Sequence, residues 1–84
     1  MKDGFYTVMG FDEKGKRVCE WSDINIGDEV YIKKTDEPCE CAICGKIQKG
    51  YSVSGEYEFL IGASCIKHIY LAIVREISKW SDNT

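Results

Sequence analysis

The amino-acid sequence predicts an α+β fold, with an N-terminal three-stranded β-meander, then a cysteine-bearing turn, a β-hairpin and a C-terminal amphipathic helix. Two observations support this prediction. Residues 1–38 contain short aromatic and β-branched segments separated by glycine and charged residues, which is typical of strands and turns. The end of the chain instead repeats apolar residues at steps of three and four, the spacing of one helix face.

Three segments of the first half are predicted to be strands. Residues 4–11 are aromatic and β-branched, residues 16–21 alternate polar and apolar side chains, and residues 29–33 place Val30 and Ile32 on one face. A turn over residues 12–15 would join the first two strands. Pro38 cannot donate a hydrogen bond to a sheet, so we expect the meander to end there.

The second half, residues 39–80, is expected to hold the other elements. After the cysteine-bearing turn at 39–45, two short strands at 46–52 and 57–61 would form a hairpin. A helix capped by Ser64 would follow, and residues 81–84 would fray. Its apolar face would comprise Ile66, Ile69, Tyr70, Ile73, Ile77 and Trp80.

The length and the cysteine content together indicate that the fold is stabilised by disulfides or by a structural metal. A domain of about this length buries only ~60% of the surface that its unfolded chain exposes. Its core is therefore marginally stable, and disulfides or a metal often stabilise it further. The five cysteines are an odd number, and residues 1–17 lack an apolar secretory signal. The longest apolar stretch, residues 69–74, is too short to cross a membrane. We therefore expect a single cytoplasmic domain with reduced thiols that bind metal or carry out redox chemistry.

Four residues have the types and spacing of a closed metal site. Cys41 and Cys44 form a C-x-x-C pair followed by Gly45, which permits the tight turn that such a pair requires. Cys65 and His68 lie three residues apart at the start of the predicted helix, so both would face one side. Three thiolates and one imidazole are typical of a structural zinc site with no open position. The sequence predicts one Zn²⁺ held by these four side chains.

Two further cysteines are assigned differently. Cys39 lies close to the C-x-x-C pair and is a possible substitute ligand for Cys41 or His68. The Cys41–Cys44 spacing fits a turn better, so we expect Cys39 to be a spare thiol beside the site. Cys19 is expected to be a small buried apolar residue.

The order of turn, hairpin and helix start resembles a treble-clef zinc finger. More specifically, the chain is similar to small phage and Firmicutes proteins in which a C-x2-C-G turn and a hairpin precede a G-x2-C-x-K-H segment. The resemblance covers residues 39–75 and is carried by the segment CAICGKIQKGYSVSGEYEFLIGASCIKH. It implies zinc and the fold, but no single function. If the protein is phage-encoded, it would act in the cytoplasm of the bacterial host.

The expected function is that of a non-enzymatic zinc-binding module for protein–protein interaction, such as an adaptor or inhibitor of a host protein. The net charge of −3 at pH 7 suits this role better than nucleic-acid binding, which favours a basic surface. No catalytic triad or phosphate-binding glycine loop is recognisable in the sequence. The candidate residues for contacting a partner are Trp21, Trp80, Asp36 and Glu37.

Two alternatives remain open from the sequence. The first is a zinc finger that binds nucleic acid through the basic residues of the second half. The second is a thiol redox or metal-transfer protein that uses Cys39, Cys41 and Cys44.

Overall fold

The computed structural model describes residues 1–76. This part of the chain contains seven strands, one α-helix and one short 3₁₀ helix. The elements in chain order are β1 (Gly4–Phe11), α1 (Glu13–Trp21), β2 (Glu29–Lys34), β3 (Cys39–Glu40), β4 (Ile47–Gln48), β5 (Gly50–Ser54), β6 (Glu58–Gly62), the 3₁₀ helix η1 (Ile66–His68) and β7 (Ile69–Glu76).

Five strands form one antiparallel sheet in the order β6-β5-β2-β1-β7. Strand β1 pairs with β2, which places Tyr6 opposite Val30, and with the outer strand β7, which places Val8 opposite Leu71. Strands β3 and β4 form a separate two-stranded ribbon that carries the cysteine-bearing turn. The α+β class predicted from the sequence is confirmed.

The core lies against one face of the five-stranded sheet. Its largest fully buried side chains come from β1, β2, β5 and β6, and helix α1 adds Val18 and Cys19. Cys41 and Cys65 are also part of the buried cluster. The candidate metal ligands therefore lie at the edge of the core. The fully buried strand residues are Val8, Val30, Ile32, Val53 and Ile61.

Several predicted strands are confirmed. The segments 4–11 and 29–33 form β1 and β2, and the predicted hairpin over 46–61 corresponds to β4, β5 and β6. Strands β5 and β6 pair antiparallel, with Val53 opposite Phe59.

The prediction of a turn at 12–15 and a strand at 16–21 is wrong, because residues 13–21 form helix α1. The Asp12 side chain accepts hydrogen bonds from the backbone N–H groups of Lys14 and Gly15, which makes Asp12 the N-cap of the helix. Gly15, Val18 and Cys19 are the buried residues of the helix, at steps of three and four. Strand β1 consequently pairs directly with β2, so the predicted three-stranded meander is absent from the first half.

The predicted C-terminal helix is wrong over residues 69–76, which form β7. Ile69, Ile73 and Val74 are β-branched and favour strands, and pairing with β1 overrides the helical spacing of the apolar residues. Only Ile66–His68 is helical, as a single 3₁₀ turn. The complete treble-clef arrangement is therefore not confirmed. Ile77, Trp80 and the predicted tail at 81–84 lie outside the described residues.

Neither helix within residues 1–76 has the length and apolar character needed to cross a membrane.

Candidate metal centre

Three of the four predicted ligands are brought together by the fold. The Sγ atoms of Cys41, Cys44 and Cys65 all lie within 4.8 Å of one another. Tetrahedral coordination with metal–sulfur distances of ~2.3 Å would place sulfurs ~3.8 Å apart, which this group can reach with small adjustments. These three cysteines can therefore hold a metal ion.

The turn between β3 and β4, residues 41–45, presents two of the thiols and is called the knuckle below. The Cys41 backbone N–H donates to the Lys46 carbonyl at 3.0 Å, and the Gly45 N–H donates to the Cys41 carbonyl at 2.9 Å. Gly45 has a φ of 77°, in the left-handed region that favours glycine. The knuckle is also held to β6, because the Ala42 N–H donates to the Leu60 carbonyl at 2.8 Å.

Backbone amides point at the Cys41 sulfur. The N–H groups of Ile43 and Cys44 donate to Cys41 Sγ at 3.4 and 3.5 Å. Burial opposes ionisation of this thiol, but the amides of Cys44, Gly62 and Ile43 outweigh it and lower its pKa to about 7. This environment favours the thiolate form of Cys41, which is the form that a metal ion would require.

Cys65 has the opposite tendency. Burial raises its pKa, and so do its hydrogen bonds with the sulfurs of Cys44 and Cys41. A negative charge on the neighbouring Cys41 sulfur makes ionisation of Cys65 less favourable. A bound divalent cation reverses that preference because it stabilises all of the thiolates at once.

Gln48 joins the two segments that carry the cysteines. Its Nε2 donates to Cys44 Sγ at 3.5 Å, and its Oε1 accepts from Ser64 Oγ at 3.0 Å. A Cβ on Gly62 would overlap the Gln48 side chain, which gives that glycine a packing role. The sequence analysis did not identify Gln48, because no spacing rule marks a residue that hydrogen-bonds to a metal ligand.

His68, the fourth predicted ligand, is not part of the group of three thiols that lie within 4.8 Å of one another. Its Nδ1 is 2.6 Å from Oδ2 of Asp12, the N-cap of α1. The imidazole lines the same cavity as Cys44 and Cys65. The sequence analysis also missed Asp12, since its partner lies 56 residues away in the chain.

The two remaining cysteines lie outside the group of three clustered thiols. Cys39 is partly exposed, and its Sγ donates to the Glu37 carbonyl at 3.4 Å, outside the three-thiol group. Cys19 is completely buried in the core, and burial raises its pKa to about 11.

A cavity of about 590 Å³ separates helix α1 from the knuckle. Its walls include Arg17 and Trp21 of the helix, Ile43 and Cys44 of the knuckle, and His68. Trp21 is 69% exposed. Of the other predicted partner contacts, Asp36 and Glu37 are exposed between β2 and β3, and Trp80 lies outside the described residues.

Comparison with known proteins found no similarity: no protein family, no curated protein and no solved structure matches this chain.

Proposed function

We propose that the protein binds one structural zinc ion through Cys41, Cys44, Cys65 and His68. The observation that carries this proposal is the group of three thiols within 4.8 Å of one another. Thiolate ligands favour zinc over the hard cations Mg²⁺ and Ca²⁺, which prefer oxygen. The amide donors to Cys41 and the lowered pKa of this thiol support a thiolate site.

The positions of the proposed ligands support a structural role for the ion. Cys41 and Cys65 belong to the buried core cluster, so the ion would join the knuckle, the hairpin and η1 at the edge of the core. The apolar core of an 84-residue chain contributes little stability, and small domains are commonly stabilised further by a structural metal.

We further propose that the zinc-stabilised surface binds another protein and has no enzymatic activity of its own. The support is Trp21, whose large apolar side chain is 69% exposed at the rim of the cavity next to the knuckle. Exposed tryptophans are enriched among residues that dominate binding at interfaces. Asp36, Glu37 and Trp80 are additional candidates for contacting the partner, predicted from the sequence. The proposed role is that of an adaptor or inhibitor of a host protein.

The zinc proposal is tested with the purified protein by elemental analysis and by far-UV circular dichroism before and after chelation. We expect about one zinc per chain, and a loss of the folded spectrum when it is removed. Cys41→Ser is expected to abolish stoichiometric zinc, whereas Cys39→Ser, a matched change at a thiol outside the group, is expected to retain it. A metal-free protein with an unchanged spectrum would contradict the proposal.

The partner proposal is tested by affinity capture with the zinc-loaded protein as bait. We expect a stoichiometric partner that Trp21→Ala loses and that Tyr57→Ala retains, since Tyr57 is also exposed but lies in the β5–β6 turn. Equal capture by both variants would exclude Trp21 as a binding residue.

The two alternative functions have less support. Redox or metal transfer by Cys39 with Cys41 and Cys44 requires these thiols to act together, and Cys39 lies outside the three-thiol group. Binding to nucleic acid, the other alternative, would be recognised by a steep loss of the protein's affinity for nucleic acid between ~50 and ~200 mM salt.

A further inference from the structure

The Asp12 carboxylate makes two distinct kinds of contact with its two oxygens. Oδ1 accepts from the backbone N–H groups of Lys14 and Gly15, each at 3.0 Å, and so caps helix α1. Oδ2 lies 2.6 Å from Nδ1 of His68. An N-cap needs only one acceptor oxygen, so the second contact is additional to what the helix requires.

The backbone around His68 is held by the same helix start. The Asp12 N–H donates to the His68 carbonyl at 3.1 Å. That carbonyl also lies so close to Gly15 that a Cβ there would overlap it. The His68 side chain is only 16% exposed. The first turn of α1 therefore fixes both the main chain and the ring of His68.

The contact with Asp12 also decides which ring nitrogen carries the proton. An ionised carboxylate can only accept hydrogen bonds, so Nδ1 must be the donor. In the neutral ring, Nε2 then keeps its lone pair, and it is the ring nitrogen not engaged by Asp12. A histidine that binds a metal usually donates its other ring N–H to such a carboxylate or carbonyl.

We propose that Asp12 is a positioning residue for the metal centre, which holds His68 in the tautomer whose Nε2 completes the coordination by Cys41, Cys44 and Cys65. This inference rests on the proposed zinc site and adds a residue from the other end of the described chain. It also couples the metal to helix α1, because one side chain serves both.

Two substitutions separate this role from helix capping. Asn and Ser are both good N-cap residues, so Asp12→Asn and Asp12→Ser should each keep helix α1. Asparagine, capping through its oxygen, would present its NH₂ group to Nδ1 and favour the tautomer with the proton on Nε2, which cannot bind metal. Serine is too short to reach the ring and leaves the tautomer unconstrained.

The measurement is the zinc dissociation constant of each folded variant, obtained by competition with a chelator of known affinity. We expect both variants to bind zinc about 10- to 100-fold more weakly than the unmodified protein, with the larger loss for Asp12→Asn. A purely structural contact predicts the reverse order, because asparagine is the closer isostere of aspartate. Glu13→Gln is the matched control, since it removes a neighbouring charge of α1 and is expected to leave the affinity unchanged.

His68 is the only histidine in the sequence, so its ring can be observed without ambiguity. Long-range ¹⁵N–¹H NMR spectra of the zinc-loaded protein are expected to show Nδ1 protonated and Nε2 bound to metal. In a His68→Ala background, Asp12→Asn is expected to cause no further loss of zinc affinity, as a double-mutant cycle requires for two residues that act as one unit.

The outcomes distinguish this inference from the zinc proposal on which it rests. If the unmodified protein binds no zinc, the metal site itself is excluded. If it binds zinc while His68 Nε2 is unbound, or if Asp12→Asn binds as tightly as the unmodified protein or more tightly than Asp12→Ser, the role of Asp12 is overturned and the three-thiol site stands.

Discussion

The five cysteines of this chain occupy three chemically different environments. Cys41, Cys44 and Cys65 share one site, Cys39 is partly exposed beside a backbone carbonyl, and Cys19 is completely buried. The reactive form of cysteine is the thiolate, and a reagent must also reach it. The environments should therefore differ in their reaction with alkylating agents.

We predict that iodoacetamide at pH 8 labels only Cys39 in the zinc-loaded, folded protein. The three ligands are protected by the metal, and Cys19 is inaccessible and, with a pKa of about 11, remains protonated at pH 8. Mass spectrometry of the intact protein should show a single addition, which Cys39→Ser removes. Rapid labelling of Cys41 or Cys44 in the loaded form would instead favour an open, exchangeable metal.

At the residue scale, the sequence predicted the three clustered cysteines but not the residues that contact them from elsewhere in the chain. Cys41, Cys44 and Cys65 follow from local spacing, because a C-x-x-C turn and a nearby helical turn impose their own geometry. Asp12 and Gln48 touch the site from distant positions in the chain, and such contacts exist only after the sheet has formed. No local pattern could have indicated them.

At the scale of secondary structure, the contact between α1 and η1 is close enough to restrict the residue at position 15. Gly15 is buried in the helix, and its Cα faces the His68 carbonyl. Glycine weakens a helix by up to about 1 kcal/mol relative to alanine, so its presence here reflects the close approach of the two elements.

We predict that Gly15→Ala lowers the free energy of unfolding by about 1–3 kcal/mol, the usual cost of overpacking a buried contact. Helix propensity alone predicts the opposite sign. Urea unfolding of the zinc-loaded protein measures the change. Lys16→Ala, at the exposed neighbouring position, should alter the stability by no more than about 0.5 kcal/mol. A more stable Gly15→Ala variant would show that the contact can relax.

The two errors in predicting the elements have one physical origin. Residues 16–21 alternate polar and apolar side chains, but Val18 and Cys19 also lie three and four residues after Gly15, and the N-cap at Asp12 favours the helix. Residues 69–76 contain helical steps too, but their β-branched side chains and the open edge of β1 decide for a strand. In each case a short segment fits both periods, and tertiary contacts select one.

At the scale of the whole molecule, zinc binding should increase the free energy of unfolding. The proposed ligands come from the knuckle, from the segment after β6 and from η1, and the last is tied to α1 through Asp12. A metal that binds only the folded chain stabilises it in proportion to the logarithm of the free metal concentration.

We predict that each tenfold increase in free zinc above its dissociation constant raises the free energy of unfolding by about 1.4 kcal/mol. Thermal unfolding in zinc buffers of increasing free concentration measures this dependence. Mg²⁺ at the same concentrations is the control and should have no effect, because it prefers oxygen ligands. An unfolding temperature that is independent of zinc would show that the metal contributes nothing to the fold.

The position of β7 in the sheet has a consequence for how the protein is made. On the ribosome, β1 is synthesised first among the described strands, and its outer partner β7 is synthesised last. One side of β1 therefore stays unpaired until residues 69–76 have been synthesised. During that interval the open strand is a site at which two unfinished chains can pair, and a chaperone that shields strand edges would have its greatest effect then.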